Sequence, residues 1–193
     1  MSHKYTSLPM ILTYSRLIAA PLVLPFLFVY LLPFNIFWIN ATLALLFFLF
    51  GLTDFFDGYL ARKFDQVSSQ GALLDHVADK FLLYSTLIAL VSTHKLYFFW
   101  ALLWIGREFF IMSIRQVALE NNFILSVSIL GKLKTVIQII CLTVVILNPE
   151  QEQSLFTSYW NQIEMLLLIC ATALSLISLY DYLCSFFDKF KNR

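Results

Sequence analysis

Four aspartates carry the most chemistry in this 193-residue chain. Asp54 and Asp57 lie three residues apart; Asp75 and Asp79 lie four apart. Either spacing puts two carboxylates on one face of a helix, about 5–6 Å apart at Cβ. Two such pairs on adjacent helices can converge in one small volume. Four like charges cannot all ionise there without cations. Carboxylate oxygens are hard ligands that suit Mg²⁺, Mn²⁺ or Ca²⁺ rather than zinc. The ligand number fits two ions about 3.5–4 Å apart. Gly58 and Gly71 allow close backbone approach by a ligand or a neighbouring helix. Arg62, one turn after Gly58, can offer a planar fork to a phosphate.

A second set of residues is cationic. Arg107 and Arg115, eight apart, nearly share a face of an otherwise apolar helix, and Lys132 and Lys134 open the next one. Anionic lipid headgroups or simple topology can account for a loop lysine. Arginines inside an apolar helix need anionic partners, so the cluster is expected to bind a phosphorylated substrate.

The elements that must position these residues are membrane helices. The chain is 60% hydrophobic and 13% charged, with a mean hydropathy of +0.79, against about 25% charged for soluble domains. A water-soluble fold of this size cannot hide so much apolar surface, so lipid is expected to be part of its solvent. Six apolar stretches can be read, over residues 8–32, 36–53, 72–91, 96–118, 130–147 and 155–183. The N-terminus lacks the basic region and cleavage site of a secretory signal, so the first stretch is expected to be retained. Pro33 with Asn35, Thr93 with His94, and Asn148 with Pro149 mark turns. The three cysteines have no metal-ligand spacing and no disulfide framework. With nothing resembling a linker, one all-α membrane domain over residues 1–193 is expected.

Charge parity supports six spans. With alternating helices and the N-terminus inside, 12 of the 13 Lys and Arg share one side, leaving only Lys95 outside. That asymmetry is the positive-inside pattern, and it places both termini in the cytoplasm. Asp75, Asp79, Lys80, Arg107, Glu108 and Arg115 interrupt apolar helices in their cytoplasmic halves. Each costs about 2.5–3.5 kcal/mol at the bilayer centre on insertion scales. A polar cavity open to the cytoplasm accommodates them all.

The run Asp54-x2-Asp57-Gly58-x2-Ala61-Arg62-x8-Gly71-x3-Asp75-x3-Asp79 resembles, position for position, the signature of the CDP-alcohol phosphotransferase family. That family also has six helices, with the motif spanning helices 2 and 3. The resemblance implies Mg²⁺- or Mn²⁺-dependent transfer of a substituted phosphate from a CDP-linked donor to an alcohol, with release of CMP. It implies metal ligation by Asp54, Asp57, Asp75 and Asp79, with Asp79 also the general base for the acceptor hydroxyl. Gly58, Ala61, Arg62, Gly71, Thr13 and Ser68 would then contact the nucleotide or CDP-lipid.

Gly106-Arg107-Glu108-Phe109-Phe110, Arg115 and Gly131-Lys132-Leu133-Lys134-Thr135 resemble one branch, the phosphatidylglycerophosphate synthases, as does the opening from Leu8-Pro9 through Leu12-Thr13 to Arg16. That branch joins CDP-diacylglycerol to sn-glycerol 3-phosphate, which assigns the acceptor phosphate to Arg107, Arg115, Lys132, Lys134 and Arg16. Met10 and His76 depart from the branch, which usually has Asn and Pro there. A homodimer in a bacterial inner membrane, with its site facing the cytoplasm and no nucleic-acid partner, is expected. A sister activity is the alternative, with phosphatidylglycerol (cardiolipin synthesis) or inositol phosphate as acceptor. A divalent-metal transporter is a remoter one. It would need acidic residues through the depth of the membrane, and the outer half offers only Glu150, Glu152 and Glu164 near the far surface.

Overall fold

The computed structural model describes residues 23–63, 69–121, 123, 125, 129–148 and 155–191; for 53–63, 69–79, 129, 132 and 155–157 it describes the backbone alone. Among the described residues the regular secondary structure is all helical, with no strand. In chain order the helices are α1 (Leu24–Leu31), α2 (Phe37–Lys63), α3 (Ser69–Ser92), α4 (Phe98–Glu120), α5 (Ile129–Leu147) and α6 (Leu155–Lys191). They follow the six apolar stretches, of which the start of the first lies outside the described residues.

The largest departure is α2, expected to end near Thr53, which runs ten residues further to Lys63. Apolar residues mark only the part of a helix that lipid would cover. Backbone hydrogen bonds continue the helix through polar residues as readily. Asp54 and Asp57 therefore sit within a helix rather than at its end.

The turns are where expected. A short 3₁₀ turn, Leu32–Phe34, follows α1 and is closed by Asn35 in the left-handed region at φ 51°. His94, at φ 60°, reverses the chain after α3. Asn and His are among the non-glycine residues that tolerate this conformation best.

The helices fall into two compact units. The first contains α1, α2, α3 and the end of α5. Leu24, Phe28 and Leu32 recur every fourth residue on α1 and are buried, as are Leu43, Ala44 and Phe47 on α2 and Leu83, Leu87 and Leu90 on α3. Phe28 meets Phe47 edge to face, with ring centroids 6.5 Å apart.

A polar knot closes one end of this unit. Asn40 Nδ2 and Lys95 Nζ both donate to the backbone oxygen of Asn148, at 3.3 and 2.8 Å. Asn40 lies near the start of α2, Lys95 after α3 and Asn148 after α5. Those are three helix ends that an alternating six-span order puts on the same side.

The second unit contains α4, most of α5 and α6, with α4 packed along α6. Ile111, Ala118, Leu125 and Tyr182 form one apolar cluster, flanked by Ile114, Phe123, Leu179 and Phe186. In both units many large apolar side chains face outward, among them Phe26, Trp38, Leu102 and Leu166. Cys141 is buried, while Cys170 and Cys184 are exposed, and all three are free.

Among the described residues, one helix is long and apolar enough to cross a bilayer by length and composition, within Ser158–Lys191. Shorter apolar helical stretches are Leu24–Phe34, Phe37–Leu52, Lys80–Ser92 and Leu133–Leu147. At 37 residues α6 is about 55 Å long, well beyond a hydrocarbon core of about 30 Å. Lys189 and Lys191 stand in its last turn, where cations complement the helix dipole.

Candidate functional site

The backbone positions the acidic motif on two helices. α2 carries Asp54, Asp57, Gly58, Ala61 and Arg62 in unbroken helix, and α3 carries Gly71, Asp75 and Asp79 within its first three turns. Asp54 and Asp57 are thus about one turn apart, as are Asp75 and Asp79. α2 also packs against α3. Their side chains lie outside the described residues, as do Thr13, Arg16 and Ser68 entirely and the side chain of Lys132. Among the described residues no group of three or more His, Cys, Asp and Glu could hold a metal ion.

The cationic cluster is visible in the second unit and has a partner that the sequence reading did not place in the site. Arg107 is 8% exposed, Glu108 3% and Lys134 2%. Arg107 Nη1 donates to Glu108 Oε1 at 2.6 Å, and Lys134 Nζ donates to the same oxygen. Arg107 spends its other edges on α6: Nε donates to the carbonyl of Ser175 at 3.2 Å, and Nη2 to Ser178 Oγ at 2.8 Å. α4 therefore stands between two neighbours, with Arg107 turned to α6 and Glu108 to α5. Gly131 lies close by, and a Cβ there would be in ordinary van der Waals contact with Ser178 Oγ, at 3.6 Å.

Among the described residues, two cations, Arg107 and Lys134, share one carboxylate, Glu108. Removing charges from water is costly unless they are paired and hydrogen-bonded, and Arg107 is held by three acceptors. Both Arg107 and Arg115 reach α6, so the eight-residue spacing does put them on one face. Arg115 Nη2 donates to the Tyr182 hydroxyl, and its guanidinium carbon lies 5.3 Å from the centre of that ring. Its Nε has no partner. Tyr182 thus orients a half-buried arginine while leaving one of its edges open.

Two further buried polar residues belong to this interior. Trp104 Nε1 donates to Thr172 Oγ1 at 2.8 Å, one turn before Arg107. Gln138, one turn after Lys134, is 0% exposed, and neither its Nε2 nor its Oε1 has a hydrogen-bond partner. Leaving a buried polar group unpaired costs about 1–3 kcal/mol.

The signal for the α6 partners was present in the sequence. Thr172, Ser175, Ser178 and Tyr182 fall at intervals of three, three and four on an apolar helix, a polar stripe on one face. Glu108 was visible as the only acidic residue beside Arg107. Its role depends on packing that spacing does not encode.

Chemically, paired carboxylates in the first unit and a buried cationic cluster in the second are each of a kind suited to charged, phosphate-bearing substrates. The family model for CDP-alcohol phosphatidyltransferases matches residues 6–179. The chain belongs to this family. It is 36% identical to the CDP-diacylglycerol–glycerol-3-phosphate 3-phosphatidyltransferase of Wigglesworthia glossinidia brevipalpis, over 92% of this chain and 90% of that one. It is 33% identical to the enzyme of the same name from Rickettsia bellii (91% and 93% covered), and 34% identical to that from Salmonella paratyphi A (92% and 93%).

Members of this family are membrane-associated and generally depend on a divalent metal. The donor set of this chain fits that requirement. α2 and α3 carry four aspartates, hard oxygen ligands, on two packed helices, each pair about one turn apart.

Proposed function

We propose that this chain transfers the phosphatidyl group of CDP-diacylglycerol to sn-glycerol 3-phosphate, giving phosphatidylglycerophosphate and CMP in the synthesis of anionic phospholipids. The observation that supports the choice of acceptor is the buried cluster in which Arg107 and Lys134 meet at Glu108. The relatives covering nine-tenths of the chain bear the same activity in their names.

In this reading the acceptor hydroxyl attacks the β-phosphorus of the donor, forming a P–O bond as the bond to CMP breaks. Asp79 takes the hydroxyl proton. Asp54, Asp57, Asp75 and Asp79 would hold the divalent ions, whose charge would offset that of the diphosphate and of the leaving CMP. Arg62 contacts the diphosphate, while Gly58, Ala61, Gly71, Thr13 and Ser68 line the CDP-lipid. Arg107, Arg115, Lys132, Lys134 and Arg16 hold the acceptor phosphate. Protein groups mainly position the reactants and balance charge, as phosphoryl transfer requires.

The same reading makes residues 1–193 one membrane domain of six spans, with both termini and the site at the cytoplasmic face of the inner membrane. The meeting of Asn40, Lys95 and Asn148 supports the alternating order, and the outward apolar side chains support a lipid surround. A homodimer, implied by the family resemblance, completes it.

The test offers purified protein CDP-diacylglycerol with a panel of alcohols and counts the CMP released. Release with glycerol 3-phosphate, and not with phosphatidylglycerol or inositol phosphate, is expected. A reversed preference would reassign the acceptor.

A further inference from the structure

The interior of the second unit is a ladder of polar groups, and one of its rungs has no partner. Lys134 on α5 meets Glu108 on α4. α5 runs antiparallel to α4 in a six-span order, so Gln138 lies at the level of Trp104, one turn beyond the Arg107–Glu108–Lys134 cluster. Trp104 satisfies itself on Thr172. Gln138 satisfies nothing: it is completely buried, and both ends of its amide are without hydrogen bonds. Ser175 Oγ, on the residue whose carbonyl holds Arg107, is also buried and without a partner.

An amide offers two donors and one carbonyl acceptor. That is the complement of an aliphatic hydroxyl, which gives one hydrogen bond and accepts others. Buried polar groups are paired in nearly all native structures, so a fully buried amide with both ends open is matched to something that arrives. Four residues along a helix rise about 6 Å, the reach from a phosphate to a hydroxyl two carbons along a small polyol. Lys134 and Gln138 stand one turn apart on α5, a spacing of the same order as that between those two groups.

We infer that Gln138 is a specificity-determining residue for the acceptor, holding the central, non-reacting hydroxyl of glycerol 3-phosphate while Lys134 and Arg107 hold its phosphate. This rests on the proposed acceptor. Substrate reaches the amide as the four-carbon chain of Lys134 turns from Glu108 to the arriving phosphate. The residue touches neither reacting oxygen nor leaving group. It selects a triol-derived acceptor over one that lacks the middle hydroxyl.

The discriminating substrate is 3-hydroxypropyl phosphate, which keeps the phosphate and a primary hydroxyl but has no central one. The full-length protein should prefer glycerol 3-phosphate over it by about tenfold or more in kcat/KM, the worth of one well-made hydrogen bond in a buried site. Gln138→Leu should bring that preference to within about twofold and leave the KM for CDP-diacylglycerol unchanged. Its thermal midpoint without acceptor should be equal to or above that of the parent, because the change removes an unpaired buried amide.

Gln138→Met, of closer shape, repeats the measurement should the leucine variant fail to fold. An undiminished preference in either folded variant overturns the inference. So does a lowered midpoint in both variants, which would mark the amide as a structural group. No CMP release by the parent with glycerol 3-phosphate removes the proposed function and the inference with it. Turnover of glycerol 3-phosphate without preference over the analogue removes the inference alone.

Discussion

Neutralising Glu108 tests the charge arrangement most directly. Its carboxylate accepts from Arg107 at 2.6 Å and from Lys134, and all three residues are at most 8% exposed. Removing one member of a buried ion pair costs about 3–5 kcal/mol, because the remaining charge stays buried without compensation. Glutamine keeps the shape and one oxygen acceptor, so Glu108→Gln belongs at the lower end, about 3 kcal/mol. At about 1.4 kcal/mol per tenfold, that is a shift of roughly a hundredfold in the folding equilibrium.

Reversible unfolding in mixed micelles measures it. Both cations then lose the Glu108 carboxylate, so Lys134→Met in the same chain removes one of them. The double variant should be more stable than the sum of the single effects by about 1–3 kcal/mol, within the range for residues in contact. Glycerol 3-phosphate supplies an anion to the same cations and should stabilise Glu108→Gln more than the parent. A Glu108→Gln variant within about 0.5 kcal/mol of the parent, or strictly additive effects, would refute a buried carboxylate that holds two cations.

Asp79→Asn should lower kcat for CMP release by about 10²–10⁴, the usual worth of a general base, while the protein still folds. Near-parental turnover would remove that role. Chelation should stop turnover, and Mg²⁺ or Mn²⁺ should restore it; activity that survives exhaustive chelation would contradict a metal-dependent site. Arg115→Ala should raise the KM for glycerol 3-phosphate about tenfold or more and leave that for CDP-diacylglycerol within about twofold. Tyr182→Phe should act in the same sense but less, since the hydroxyl only holds the arginine; equal effects on both substrates would argue against an acceptor role. Lys95→Met should cost about 1–3 kcal/mol in unfolding measurements, the loss of a buried charged hydrogen bond, with both KM values unchanged.

Much of the helical order is legible in the residues because lipid and backbone impose simple rules. Apolar runs about twenty residues long and turn residues such as Asn35 and His94 mark the spans; both of those turns coincide with helix ends, and Pro149 of the third lies outside the described residues. The end of α2 is not legible that way. Hydropathy reports where a chain can meet lipid, whereas a helix persists wherever its peptide groups bond, so the more polar run from Asp54 through Lys63 stays helical past the apolar stretch.

The cationic site was half legible for a related reason. Arg107, Arg115 and Lys134 stand out as charges in apolar helices, and a phosphate was the expected partner. The structure adds a partner from the chain itself, Glu108. Which of two neighbouring residues turns to which helix is decided by packing. Gln138 was missed altogether, since one glutamine in an apolar helix looks unremarkable until its burial and lack of partners are seen together.

The adjacency of Arg107 and Glu108 also bears on how such a site can be assembled in a membrane. Placed singly, each charge costs about 2.5–3.5 kcal/mol at the centre of an inserting helix. Side by side and bonded at 2.6 Å in the packed structure, the two charges largely offset one another within α4. α5 adds a second cation, Lys134, against the same carboxylate. On that account the positive charge that would attract an anionic substrate is a property of the packed helices and of none of them alone. Substitutions that loosen α5 from α4 should weaken acceptor binding even when every cationic residue is still in place.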